Sequence, residues 1–232
     1  MANKIGIVLS SGGLNSCVLA CMVRQEHQLA LLHVEFGHRS AWREKNCFAQ
    51  QAERLSAKEQ LVVELSHLQL IGGNARVDSS LAIEDSLALA QDVCNSFIPG
   101  LIPTMLGLAQ SWAATIGAEV VFLGVSENLG PPGPATASLY PDYRREFYQL
   151  YNQLLAYATR PRSPLRVETP LISRSRGEIV RLGRRLDAPF ELTWSCLRSN
   201  DKPCQRCYNC ASRARGFAEA GLADPLLVHS PV

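Results

Sequence analysis

Two groups of residues in this 232-residue chain have the types and spacing for chemistry. The first is Ser10, Ser11, Gly12, Gly13, Asn15 and Ser16, set between the apolar run IGIVL and a stretch with Leu14, Val18, Cys21 and Met22 at helical spacing. Strand, glycine turn and helix in that order aim backbone N–H groups and a helix N-terminus at one point, an arrangement that suits phosphate or pyrophosphate. The serine hydroxyls are further donors. Neither G-x-x-x-x-G-K-[ST] nor G-x-G-x-x-G is present, which excludes the P-loop and dinucleotide fingerprints. The bland alternative is a tight turn that binds nothing. The second group is Cys196, Cys204, Cys207 and Cys210, spaced C-x7-C-x2-C-x2-C. Four soft ligands this close fit tetrahedral Zn²⁺, and a full thiolate shell leaves no open position, so the site reads as structural. An iron–sulfur cluster is the other chemistry four thiolates serve. Cys17, Cys21, Cys47 and Cys94 are scattered and read as core thiols.

These groups need a scaffold. Residues 4–9 predict a central strand, 14–24 a helix, 28–36 a second buried strand, 41–56 a helix and 60–65 a third strand. Repeated strand–helix–strand units imply an α/β fold with a doubly wound parallel sheet, whose ligand lies beyond the carboxyl ends of the strands. His38 and Arg39 fall at one such end. Residues 66–95 read as an irregular excursion with a short helix through Leu81, Ile83, Leu87 and Leu89. A turn at residues 97–100 precedes a helix over 101–117, and residues 119–125 form a strand that ends at Gly124. The loop over 127–141 holds four prolines and two glycines, so neither helix nor strand continues through it. A helix over 142–159 should bury Phe147, Leu150, Tyr151, Leu154 and Leu155. An edge segment at 165–170 leads to a helix with Ser175 and Glu178 at capping-box spacing, a buried stripe of Ile179, Leu182 and Leu186, and a basic outer face of Arg174, Arg176, Arg181, Arg184 and Arg185. Residues 211–220 form a last helix closed by Gly221. The expected division is a nucleotide-binding α/β domain over 1–190 and a small zinc-binding, four-cysteine segment over 191–232.

With 47% hydrophobic and 19% charged residues the chain can bury a full core. A net charge of +2 argues against a protein that coats nucleic acid. No apolar run reaches the roughly 18 residues of a membrane span, and no signal-peptide pattern precedes the first strand, so a cytoplasmic location without membrane contact is expected.

The turn resembles the PP-loop, S-G-G-x-D-S, of ATP pyrophosphatases, with Asn15 where that pattern has Asp. Together with the cysteine segment it resembles the QueC family over nearly the whole length. The family pattern V-P-G-R-N is met by Ile98, Pro99 and Gly100, and G-Y-P-D-C-R by Tyr140, Pro141, Asp142 and Arg144. The segments LTWSC and KPCQRCYNCASRARGFAEAG, with Asp224 and Pro225, match the family's C-terminal part. The resemblance implies ATP, Mg²⁺ and Zn²⁺ as cofactors and adenylation of the carboxylate of 7-carboxy-7-deazaguanine. Ser10, Ser11, Gly12, Gly13, Asn15 and Ser16 would then hold ATP or pyrophosphate. Arg39, Pro99, Gly100, Gly124, Tyr140, Asp142 and Arg144 would face the substrate, with helix capping the competing role for Asp142.

The departures cluster in the loops expected to face ligand: Asn15 for Asp, Leu101 and Ile102 for the Arg and Asn after P-G, His38 and Ser40 for Gln and His, and a lengthened loop before Tyr140. The expectation drawn from them is a diverged ligase that stops at an amide. Some QueC-like proteins sit in anti-phage defence operons, including a class of cyclic-oligonucleotide signalling systems. Similarity to these implies a partner protein as acceptor, at its N-terminal amine. The alternatives are the ordinary 7-cyano-7-deazaguanine synthase, which uses ammonia and two ATP, and a nucleotide-binding pseudoenzyme. A homodimer is left open.

Overall fold

The computed structural model describes residues 4–85, 94–128, 140–159 and 164–228. Five parallel strands, β1 (Ile5–Leu9), β2 (Gln28–Glu35), β3 (Glu59–Glu64), β4 (Val120–Leu123) and β5 (Arg166–Glu168), lie in the order β3-β2-β1-β4-β5. The first strand is central and the chain winds outward from it on both sides. Ligand-binding crevices form at the carboxyl edge of such a reversal, here between β1 and β4.

Period-two alternation in the strands feeds two cores. Val8, Leu29, Leu31, Val120 and Phe122 face one side, where they meet α1 (Leu14–Val23), α2 (Ala41–Arg54), α6 (Arg176–Arg185) and α7 (Tyr208–Ala220). Ile7, Ala30, Leu32, Val121, Leu123 and Val167 face the other side, covered by α4 (Leu101–Ile116) and α5 (Arg145–Ala158). The short helices α3 (His67–Ile71) and α8 (Pro225–Val228) complete the set. Among the described residues no helix is long and apolar enough to cross a membrane.

The helix termini obey local rules. Ser175 Oγ accepts from the Glu178 N–H while Glu178 reaches back to the Ser175 N–H, a reciprocal box that fixes the start of α6. Gly117 and Gly221 end α4 and α7 in the left-handed conformation.

Three expectations need correction. The helix expected from 142 begins as a 3-10 turn, Pro141–Tyr143, before α5 starts at Arg145. In α5 the buried side is Tyr148 and Leu155, seven residues apart, while Leu150 and Leu154 are exposed because the helix covers only the β5 flank of the sheet. No helix forms over residues 72–85, where Ile83 is buried but Leu81 is exposed; Leu87 and Leu89 lie outside the described residues.

Candidate functional site

A cleft with about 1220 Å³ of free space, its open mouth included, lies at the carboxyl edge of β1, β2 and β4. Its floor is the turn after β1. Ser10 N–H still donates to the Leu32 carbonyl, so strand pairing runs into the turn. Gly12 then takes φ 73°, and a Cβ there would sit 2.3 Å from the Glu44 carbonyl oxygen. Its own carbonyl accepts from the Trp194 N–H and from Gln51 Nε2. Gly12 therefore turns the chain but does not line the cleft. Gly13 N-caps α1 without a side-chain cap, and no acidic residue sits in the first turn of that helix. Its dipole is left for an external anion. Ser11 Oγ accepts from the Gly13 N–H and lies 3.3 Å from Ser16 Oγ. Ser10 Oγ is buried without a protein partner among the described residues. Such an atom awaits a ligand.

Asn15 Nδ2 donates to the Gly124 carbonyl at 2.8 Å, and Asn15 Oδ1 accepts from the Arg176 guanidinium. A Cβ on Gly124 would come within 3.0 Å of the Asn15–Ser16 backbone, so close approach of β4 and α1 requires glycine there. Arg176, expected on an outer face, instead points inward from the first position of α6. It passes over Gly216, where a Cβ would lie 2.1 Å from its Cγ, and donates to Ser212 Oγ. Burial lowers its pKa to about 10, which leaves it a cation at neutral pH.

The far wall is more apolar. Leu32, Val34, Phe36, Leu101, Ile102 and Met105 line it, with Tyr140 and Tyr143 stacked at 4.9 Å between ring centroids. Tyr140 OH lies 3.0 Å from Ser96 Oγ. Glu44 is the one carboxylate among the described lining residues. Burial works against its ionisation, yet His38, Arg76 and Ser40 together hold it down at about 2. Ser40 Oγ donates to it at 2.6 Å and His38 Nε2 lies 2.9 Å away.

Of the residues expected from sequence, the cleft gathers Ser10, Ser11, Gly13, Asn15, Ser16, Gly124 and Tyr140. Arg39 is elsewhere: its guanidinium donates to the carbonyls of Asp78 and Leu81 and ties down the 72–85 segment. Pro99 and Gly100 are exposed at the start of α4, with Gly100 at φ 80°, and Arg144 is exposed. Asp142, which stands between the two lining tyrosines in sequence, is buried without lining the cleft itself. It does not cap α5, whose N-cap, Arg144, carries no side-chain bond. Its Oδ1 has no partner among the described residues, and burial pushes its carboxyl up to about 6. Sequence reasoning missed Glu44, Arg76, Arg176, Trp194, Ser195, Tyr208 and Asn209 as lining residues. Only Arg176 carried a usable signal, since the Ser175 box places it at a helix start on the ligand side of the sheet.

The sulfur atoms of Cys196, Cys204, Cys207 and Cys210 all lie within 4.8 Å of one another. Cys204 and Cys210 are 3.9 Å apart, near the roughly 3.8 Å edge of a tetrahedron with 2.3 Å metal–sulfur bonds. Backbone N–H groups of Arg198 and Cys204 point at Cys196 Sγ, and that of Cys207 at Cys204 Sγ. These are the outer bonds that orient thiolate ligands. Neighbouring thiols and N–H groups favour the Cys196 thiolate, which in turn holds Cys207 up at about 11. Four sulfurs this close can ionise together only around a cation, so the residues fit zinc. The group is bolted to the cleft: Trp194 N–H bonds to the Gly12 carbonyl, and Trp194 Nε1 donates to the carbonyls of Cys196 and Ser199.

Residues 5–221 match the family described as "Queuosine biosynthesis protein QueC". Among curated relatives, a 7-cyano-7-deazaguanine synthase of Chlorobaculum parvum is 35% identical over 221 residues, covering 95% of this chain and 94% of its own. The protein of the same description from Chlorobaculum tepidum is 36% identical over 221 residues, with the same coverage of both chains. The one from Koribacter versatilis is 38% identical over 224 residues, covering 95% and 91%.

Proposed function

The chain belongs to the QueC family, and from that premise we propose that it is an ATP-dependent synthase converting 7-carboxy-7-deazaguanine to 7-cyano-7-deazaguanine. The observation that carries this reading is the floor of the cleft. A Ser10 hydroxyl without a partner among the described residues, an uncompensated helix N-terminus and a half-buried guanidinium converge there, in a chain aligned almost end to end with synthases of that description.

A carboxylate is a poor electrophile until its oxygen becomes a leaving group. In the first half-reaction the carboxylate oxygen attacks the α-phosphorus of ATP and pyrophosphate departs; ammonia then displaces AMP and gives the amide. In the second, the amide oxygen attacks another ATP, pyrophosphate departs, and loss of AMP and the remaining N–H protons leaves the nitrile. Ser10, Ser11, Ser16, the Gly13 N–H and Arg176 would bind the phosphates and stabilise charge on the departing pyrophosphate. The apolar wall of Leu32, Val34, Phe36 and Met105 suits a planar heterocycle. Tyr140 would contact the deazaguanine and Arg144 would reach in from the rim, while Asp142, which does not line the cleft, would support the turn that carries Tyr140 and Tyr143. Arg39, Pro99 and Gly100 would act through the shape of the wall.

Mg²⁺ would accompany ATP. Glu44, the lining carboxylate, is already taken by Ser40 and His38, so the ion would be held by phosphate oxygens and water. Zinc in the four-cysteine group would be structural, fastening residues 194–210 to the floor.

A second reading stops at an amide formed with an amine of a partner protein in an anti-phage system. It is favoured only by Asn15, Leu101 and Ile102, which make the cleft less polar than the family pattern. The proline-rich stretch that would receive such a partner falls on residues 129–139, outside the described residues. Relatives spanning 95% of the chain carry the synthase description, so the ordinary synthase is the better supported reading. Pyrophosphate release tests the shared first step: it should appear with ATP and the acid together and be absent with ATP alone. No release with both would end either enzymatic reading.

A further inference from the structure

We propose that Arg76 is the specificity-determining residue that holds the acid group of the substrate, supplying from the 72–85 segment the cation that position 101 lacks. This rests on the synthase reading. That reaction brings two anions, a phosphate chain and a carboxylate, into contact, and each needs a positive partner. Two guanidinium groups line the cleft, Arg76 and Arg176, and neither has a carboxylate oxygen within 4.0 Å among the described residues. Arg176 is tied to the phosphate floor through Asn15. Arg76 stands beyond the end of β2, where its guanidinium lies over the Phe36 ring at 4.7 Å and its Nε is buried without a partner among the described residues.

The segment that carries Arg76 is held firmly enough to aim it. Its N–H donates to Asn74 Oδ1 at 2.9 Å, its carbonyl accepts from the Arg39 N–H at 3.0 Å, and the Arg39 side chain grips the carbonyls of Asp78 and Leu81. Glu44 tempers the charge without neutralising it, because its oxygens serve Ser40 and His38. Leu101 and Ile102, on the same wall, are buried side chains with no donor to offer. A guanidinium stacked on one face, with its Nε unpartnered among the described residues, is suited to a carboxylate on a flat ring.

The test is equilibrium binding to the full-length protein of 7-carboxy-7-deazaguanine, of its neutral 7-carboxamide and of a non-hydrolysable ATP analogue. In Arg76→Leu the acid should lose about tenfold or more in affinity, while the carboxamide and the ATP analogue change less than about twofold. Arg76→Lys should recover part of the loss, and Arg76→Gln serves if the leucine variant folds poorly. Equal losses for acid and carboxamide would show a merely structural stack on Phe36 and overturn the assignment. Full acid affinity in the variants would overturn it too, with the synthase reading intact. Failure of the unaltered chain to bind either deazaguanine would overturn the reading and the assignment together.

Discussion

The floor of the cleft comes from one contiguous stretch, residues 10–16, while its far wall gathers Arg76, Leu101, Met105, Tyr140 and Tyr143 from three separate stretches. That stretch is mainly backbone, with N–H groups, a helix end and a glycine with positive φ fixed by local sequence and braced by Gln51 and Trp194; the Ser10 hydroxyl and, from α6, the Arg176 guanidinium are its side-chain additions. The wall is side chain, and its polar members are set by distant contacts such as Arg39 to Leu81 and Ser96 to Tyr140. A floor of this kind serves any nucleotide reaction, so specificity and divergence belong to the wall.

The largest blow to that contrast should come from outside the cleft. In Cys207→Ser the metal shell loses a ligand, and a closed zinc site supplies folding free energy on the order of 10 kcal/mol. Because Trp194 joins this segment to Gly12, the floor should fail with it. Metal analysis and thermal melting check this, with near-stoichiometric zinc expected in the unaltered protein and aggregation in the variant. Unchanged melting and activity would detach the floor from the metal.

Gly12→Val comes next. Its Cβ would meet the Glu44 carbonyl, and its φ of 73° disfavours any side chain. Misplacing the floor by an ångström should lower pyrophosphate release by about a hundredfold or more, with zinc still bound. Arg176→Met removes one cation without moving the backbone and should weaken the ATP analogue by about tenfold, leaving the preference between acid and carboxamide alone. A shifted preference would erase the distinction between floor and wall.

The smallest effect is a matter of pH. Glu44, held at about 2 against an ordinary 4.5, contributes stability that is present above 4.5 and lost as pH falls toward 2. Glu44→Gln should lower the melting temperature near neutrality and flatten its decline across that window. An undiminished acid decline in the variant would place the titrating group elsewhere.

Legibility follows the same divide. The buried run IGIVL, the turn after it and the four-cysteine spacing announce central strand, floor and metal group, because each depends on residues adjacent in the chain. Arg176 read as surface, since helical periodicity cannot show that Gly216 opens a path inward for it. Leu150 and Leu154 read as core, since a stripe does not reveal how narrow a sheet flank α5 covers. Arg39 read as a ligand group from its place after a strand, yet carbonyls of a loop forty residues on claim it. Arg76 had no periodic or motif signal. Its meaning depends on Phe36 lying beneath it.

The nitrile endpoint separates the two enzymatic readings, and product analysis by mass spectrometry reads it directly. With 7-carboxy-7-deazaguanine, ammonia, ATP and Mg²⁺, the full-length protein should form 7-cyano-7-deazaguanine with two AMP and two pyrophosphate per product, the carboxamide appearing only in passing. A carboxamide that accumulates with one AMP per molecule, and no nitrile, would contradict the synthase reading and restore that of a ligase that stops at the amide.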